Sequence, residues 1–300
     1  MRLRDLLRLY DLGERDFRGV DLRGLDLAGI TLIAVDFTEA NLMGVNFTRA
    51  FLTNSVFNEA KLNWTNFTYA KLSDSSFQNA ELTKATFQGA FMMNSRLMGA
   101  KISGGNLSYA NLKKSNLEGG NFCGVNAYKA NLRETNLKQA NFNWGNLLEA
   151  RLTGACLNGA FLRDVNLQRA FLKEVDLQEV DLSGGNLVEA KLNGSNLEGG
   201  NLSQAKLARS RLNYTSLKRV NFYQANLQEA QLEAANFSQA NLREADLQET
   251  NLQEANWEQS NLDQAILPNN SEQNHLSLAP INLTRKNRYR HQNIAYSIAL

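Results

Sequence analysis

The sequence predicts an all-β protein, a parallel β-helix of about twelve coils with a short helical cap at its N-terminus. Two observations predict this fold class. A large apolar residue recurs at every fifth position from Leu12 to Leu267 without insertion or deletion, and the aromatic members of that series recur at intervals of twenty residues. The first observation defines one repeat, and the second defines how many repeats make a coil.

Each repeat has the form A-(N/D)-(L/F)-x-x, in which the third residue is the large apolar centre. Ala40, Asn41 and Leu42 spell the first three positions of one repeat. On an α-helix, centres five residues apart would step by about 140° and spread over the whole circumference. In a straight strand, the odd spacing would send successive centres to opposite faces. One bend per repeat is therefore required at the two variable positions, where the Asn or Asp can hydrogen-bond local backbone.

The aromatic centres predict four repeats per coil, because residues one coil apart pack on each other. A twenty-residue coil aligns Phe37, Phe57 and Phe77; Phe47, Phe67 and Phe87; Phe122 and Phe142; and Phe237 and Trp257. A fifteen-residue coil would instead place Phe37 under Leu52, and other coil sizes stay open at this point. Twelve coils spaced by about 4.8 Å give a solid rod roughly 60 Å long.

This repeat resembles that of the pentapeptide repeat family, and the resemblance covers residues 12–267. It implies a right-handed, quadrilateral parallel β-helix, a pentapeptide repeat solenoid, with no enzymatic activity of its own. It also implies one specific function, because some members imitate duplex DNA and bind DNA gyrase or a related topoisomerase.

The sequence divides into a cap at 1–11, the rod at 12–267 and a tail at 268–300. In the cap, Leu3, Leu6, Leu7 and Tyr10 fall at helical spacing. A helix there would cover the open edge and apolar core of the first coil.

The tail begins with a polar linker and ends with the apolar segment Ile294 to Leu300. Between them lie the basic residues Arg285, Lys286, Arg288 and Arg290. Three interpretations stay open: a cap on the acidic last coil, a disordered arm, or a basic contact with nucleic acid or a membrane surface. The apolar end also permits a homodimer through the C-terminal end of the rod.

Composition indicates a soluble protein, with 43% hydrophobic residues and a formal net charge of +2. No apolar stretch approaches the length of a membrane span, and Arg4, Asp5 and Arg8 interrupt any signal-peptide core. Cys123 and Cys156 fall on different faces of a twenty-residue coil and indicate a reducing compartment. We therefore expect a cytoplasmic protein.

We expect no enzymatic activity, cofactor or metal. Both histidines, His275 and His291, lie in the tail, and no nucleophile, phosphate loop or metal cluster stands out from the repeat. Glycine pairs such as Gly119 and Gly120 have a packing explanation, because the second glycine occupies the small inward position. A solid core also leaves no pocket for an active site.

Outward aromatic residues are the candidate partner-binding residues. Phe51, Phe91 and Phe171 stand where Asn or Asp is usual, and multiples of twenty separate them, so they share one face. Trp64 and Trp144 share a corner line in the same way. Isolated exposed aromatics are ordinary on soluble proteins, and the functional alternative is a face that docks a partner.

Two functions fit these features: a scaffold or regulatory protein that binds another protein through its flat faces, and a DNA mimic that modulates gyrase. Charge argues against mimicry. Duplex DNA carries one negative charge per about 1.7 Å, whereas this chain is mildly basic between Lys61 and Lys114 and acidic only between Asn221 and Ala265. We expect these charges to spread over several faces, and nucleic acid to be a partner only through the basic tail. The register also leaves no projecting loop, a feature that several topoisomerase-acting members use.

Overall fold

The computed structural model describes residues 1–268. It begins with one helix, α1, over Leu3–Asp11. Beyond α1, parallel bridges recur every five residues, from Asp16 paired with Asp36 to Asp246 paired with Ile266. Every bridge joins residues twenty positions apart, so each coil contains four repeats. The chain is a repeat β-helix, and the coil sizes that the sequence left open are excluded.

The strand of each repeat is a single bridged residue. No longer strand occurs within residues 1–268, because a turn follows each centre and occupies the rest of the repeat. The N–H of the next small residue closes the turn by donating to the carbonyl of the centre, as Ala40 N does to Phe37 O at 3.0 Å. The bends therefore lie at the two variable positions, as the sequence predicted.

The second variable position of each turn has a positive φ. Gly44 has a φ of 66° and Glu59 a φ of 58°. A positive φ at the third turn residue is the mark of a type II β-turn, and glycine adopts it without steric cost. Most corners of the rod nevertheless carry a larger residue, so the neighbouring coils must hold the backbone in this conformation.

Hydrogen bonds join each coil to the next and steady each corner. Around Phe57, its N–H donates to Ser76 O at 2.7 Å, and Val56 N donates to Val35 O at 2.9 Å. The Asn or Asp before a centre accepts from the backbone two residues later, as Asn46 Oδ1 does from Thr48 N at 3.1 Å. This contact confirms the corner role that the sequence predicted for these residues.

The interior is filled by side chains. Phe57 and Phe77 stack with ring centroids 4.8 Å apart and planes 7° apart, and Phe67 and Phe87 stack in the same way at 4.8 Å. Rings of the two stacks meet edge to face, as Phe67 and Phe77 do at 5.8 Å. The predicted aromatic stacks are confirmed.

Helix α1 covers the first coil. Leu6 is fully buried, and the hydroxyl of Tyr10 accepts a hydrogen bond from Ile33 N at 3.0 Å. Leu12, which the sequence placed as the first apolar centre, is instead 74% exposed. The reason is local, because Leu12 is the C-terminal cap of α1 with an αR backbone. The buried series begins at Phe17.

Candidate partner-binding face

Residues twenty positions apart form columns that run along the rod. One outward column runs from Thr31 to Asn251 and contains Phe51. The column two positions later in each repeat runs from Ile33 to Gln253 beside it. We call these two columns together the Phe51 face.

Three predicted candidates lie on the Phe51 face. Phe51, Phe91 and Phe171 are 47%, 41% and 37% exposed. Lys71 lies between Phe51 and Phe91, with its Nζ 3.3 Å from the centre of the Phe91 ring. Lys191 places its Nζ 4.2 Å from the centre of the Phe171 ring. These are cation–π contacts, and aromatic and basic side chains alternate in two parts of this column, from Phe51 to Phe91 and from Arg151 to Lys191.

The two tryptophans lie elsewhere on the rod. Trp64 and Trp144 are 57% and 62% exposed, at corner positions with φ of 60° and 57°. Another outward column, from Asp26 to Ile266, separates their corner from the Phe51 face. The aromatic candidates therefore form two groups and not one site. The basic tail candidates, Arg285, Lys286, Arg288 and Arg290, lie outside the described residues.

Sequence reasoning missed the basic residues of the Phe51 face. Six consecutive coils each contribute one cation to it: Lys113, Arg133, Arg151, Lys173, Lys191 and Arg211. The outward column from Thr31 to Asn251 contains no acidic residue. Lys61, Lys71 and Arg96 stand in three different outward columns, as expected for the segment from Lys61 to Lys114, whereas the six cations from Lys113 to Arg211 share one face. The signal that could have revealed the alignment is the same twenty-residue spacing that aligns the aromatic centres.

Carboxylates flank the face at its corners. Glu134 Oε1 lies 3.0 Å from Lys113 Nζ, and this hydrogen bond lowers the pKa of the Glu134 carboxyl. Lys173 pairs with Glu174 at 3.2 Å. Arg151 and Arg211 are exposed and have no carboxylate partner among residues 1–268.

Positive charge outweighs negative charge on this side of the rod. Between Tyr109 and Tyr214, the Phe51 face and its two corner columns carry ten basic and four acidic residues. The face is therefore suited to an anionic partner.

Other features of the described chain add no second candidate site. Phe161, 52% exposed, is equivalent to Phe51 in the repeat but lies on another face, and sequence reasoning also missed it. Within residues 1–268, no group of three or more His, Cys, Asp or Glu side chains is placed to hold a metal ion. Over the same range, no helix has the length and apolar character that crossing a membrane requires.

Comparison with known families gave two matches. A family described as "Pentapeptide repeat region" matches residues 11–87. A second family, described as "Pentapeptide repeats (8 copies)", matches residues 106–143, 146–184, 186–222, 201–239 and 240–269. Comparison with curated proteins gave no match. The two family matches together span most of the rod.

Three solved structures illustrate what the chain is similar to. HetL, a pentapeptide repeat protein involved in heterocyst differentiation regulation from the cyanobacterium Nostoc sp. strain PCC 7120, is 26% identical over 90% of this chain and 99% of that chain, with a TM-score of 0.25. A trypsin-treated QnrB1 variant, a plasmid-mediated fluoroquinolone resistance protein, is 17% identical over 75% and 92%, with a TM-score of 0.31. Rfr23, a pentapeptide repeat protein from the cyanobacterium Cyanothece 51142, is 21% identical over 53% and 94%, with a TM-score of 0.21.

Proposed function

This chain belongs to the pentapeptide repeat family, and from that premise we propose that it is a non-enzymatic, rod-shaped scaffold or regulatory protein that binds another protein through its flat faces. The proposal includes the finer form of the rod, a right-handed winding with a quadrilateral cross-section, which the four bridged residues of each coil support. It also includes a cytoplasmic location, which the two free cysteines support.

The observation that carries this proposal is the line of exposed aromatic residues on the Phe51 face. Phe51 and Phe91 lie two coils apart, roughly 10 Å at the usual strand spacing. Backbone hydrogen bonds between coils fix that distance, so both rings are presented without the entropic cost of ordering a loop. Large aromatic side chains dominate the binding energy of many protein interfaces.

We predict that the F51N/F91N double variant loses partner binding and keeps its fold. Asn is the commonest residue at this position of the repeat, so the coils tolerate the change, while each lost ring removes a potential binding hot spot. We expect the recovery of a specific partner from the native extract to fall about tenfold or more. Pull-down with tagged proteins, quantified by mass spectrometry, measures the effect.

Phe161→Asn is the matched control, because Phe161 is slightly more exposed than Phe51 and Phe91 and occupies the same repeat position on another face. It should capture the partner as well as the wild-type protein does. Equal capture by wild type and F51N/F91N would remove the Phe51 face from the proposal.

We predict that the purified protein leaves DNA gyrase unaffected in a supercoiling reaction, with or without a quinolone. A DNA mimic needs negative charge along its length, and the Phe51 face carries an excess of positive charge through six coils. The bridges also run without interruption from Asp16 to Ile266, which leaves no projecting loop in that range. Inhibition or protection of gyrase at micromolar protein would support the DNA-mimic alternative and contradict the scaffold proposal.

A further inference from the structure

We propose that the Phe51 face, between the coils of Lys113 and Arg211, binds an acidic α-helix of a partner protein that lies along the rod axis. This inference rests on the proposed function and adds the chemistry and shape of the bound element. Arg151, Lys191 and Arg211 carry it, because they stand in the outward column and have no ion pair within residues 1–268.

The spacing of the cations matches the rise of a helix. Consecutive coils are about 4.8 Å apart, and an α-helix advances about 5.4 Å per turn. Over the five intervals between the coils of Lys113 and Arg211, the coil spacing and the helix pitch accumulate a difference of only about 3 Å. Long Lys and Arg side chains can compensate for that difference. A helix with one acidic side chain per turn on one side would therefore meet one cation per coil.

The shape of the charged region favours a slender partner. Glu134 and Glu174 lie at one corner beside the face, and Glu149 and Glu189 lie at the other. Lys114, Lys129, Arg169 and Arg209 balance these carboxylates at the corners, so the net positive charge of this side lies on the two columns of the face. A helix with a single acidic side fits this strip of two columns, because its other sides would be neutral where they approach the corners.

The phenylalanines favour a polypeptide over a nucleic acid. Bases bind to aromatic side chains by stacking on an open ring face. Lys71 lies over the Phe91 ring and Lys191 over the Phe171 ring. In its column, each ring also has a neighbouring residue one coil away on either side. One face of each of these rings is therefore occupied by an ammonium group, which leaves less ring surface on which a base could stack.

The test measures binding of a labelled helical peptide to the full chain. The peptide has about 16 residues, enough to span the six coils at about 1.5 Å per residue, with glutamate once per turn on one side and alanine or leucine elsewhere. The charge-reversal variant R151E/K191E/R211E should bind it at least about tenfold more weakly than the wild type. Rising salt concentration should also weaken wild-type binding.

The matched control is R96E/K101E/K206E. Arg96, Lys101 and Lys206 are exposed and occupy the same repeat position on the three other faces, so the change in net charge is identical. This control should change affinity by less than about threefold. Circular dichroism melting verifies that both variants are folded, and Glu81 shows that the position accepts a carboxylate.

Several results would overturn the inference: no binding of the peptide by the wild type, equal weakening in both triple variants, or no loss when a central proline breaks the peptide helix. Tighter binding of a single-stranded oligonucleotide of equal charge would point to nucleic acid instead.

Failure of the proposed function can be distinguished from failure of this inference. If F51N/F91N abolishes capture of a natural partner while R151E/K191E/R211E still binds the peptide normally, this inference fails and the scaffold stands. If the peptide results hold and the extract yields no partner sensitive to F51N/F91N, the helix-binding face stands and the docking role of Phe51 and Phe91 fails.

Discussion

Replacement of Phe67 by alanine is expected to lower the free energy of unfolding by roughly 3–5 kcal/mol. Phe67 is fully buried and lies at the centre of the aromatic core. Its ring stacks on Phe47 at 5.2 Å and on Phe87 at 4.8 Å. It also meets Phe57 and Phe77 edge to face at 5.9 and 5.8 Å. One substitution therefore removes four ring contacts and leaves a cavity in a filled interior.

Urea unfolding followed by circular dichroism measures this loss, and hydrogen exchange locates it. In a solenoid each coil contacts only its neighbours, so amide exchange should accelerate most in the coils that contain Phe47 to Phe87 and least near Phe222. Phe161→Ala is the control, because its side chain is 52% exposed, and it should cost less than about 1 kcal/mol. Equal destabilisation by the two variants would contradict a stabilising role of the stacked rings.

Replacement of Gly120 by alanine is expected to cost about 1–3 kcal/mol through overpacking. A Cβ atom at Gly120 would lie 2.4 Å from Cε2 of Phe122. Elsewhere in the rod, alanine fills this small inward position beside a leucine, as Ala130 does beside Leu132, and also beside a phenylalanine, as Ala140 does beside Phe142. The conflict at Gly120 therefore arises from how closely the Phe122 ring lies against the glycine.

A double-mutant cycle tests that explanation. In a Phe122→Leu background, the cost of alanine at position 120 should fall by at least about 1 kcal/mol, because the two changes are coupled through direct contact. Gly124→Ala is a useful comparison, since no atom lies within 4 Å of its added Cβ and only the positive φ of 63° opposes it. Additive costs at positions 120 and 122 would show that the ring is not the obstacle.

The coil register could be predicted from sequence because it is recorded in the buried side chains. Identical rings stack only when one coil separates them, so Phe37, Phe57 and Phe77 report the coil length directly. The corner positions were equally predictable, since an odd repeat length requires a bend and the Asn or Asp side chain marks where it falls. Both inferences depend on packing and local hydrogen bonds, which repeat without change along the rod.

The ends and the surface were harder to predict. Leu12 continues the apolar series by spacing, but the cap of α1 places it outside the core. Spacing alone could not show this, because the repeat carries no signal for where the first coil closes. The basic strip was missed for another reason. Arg151, Lys191 and Arg211 are far apart in sequence, and only the columns of the folded rod bring them into line.

The hydrogen bond that Ile33 N donates to the hydroxyl of Tyr10 fastens α1 to the first coil, and this has a consequence for synthesis of the protein on the ribosome. Helix α1 precedes the coils in the chain, so the exposed end of the first coil meets its cover before any later coil exists. Each further twenty residues then supplies the carbonyl groups that the preceding coil lacks, as Asn41 O does for Leu22 N. The nascent chain can thus assemble in the order in which it is translated, each finished layer serving as the template for its successor.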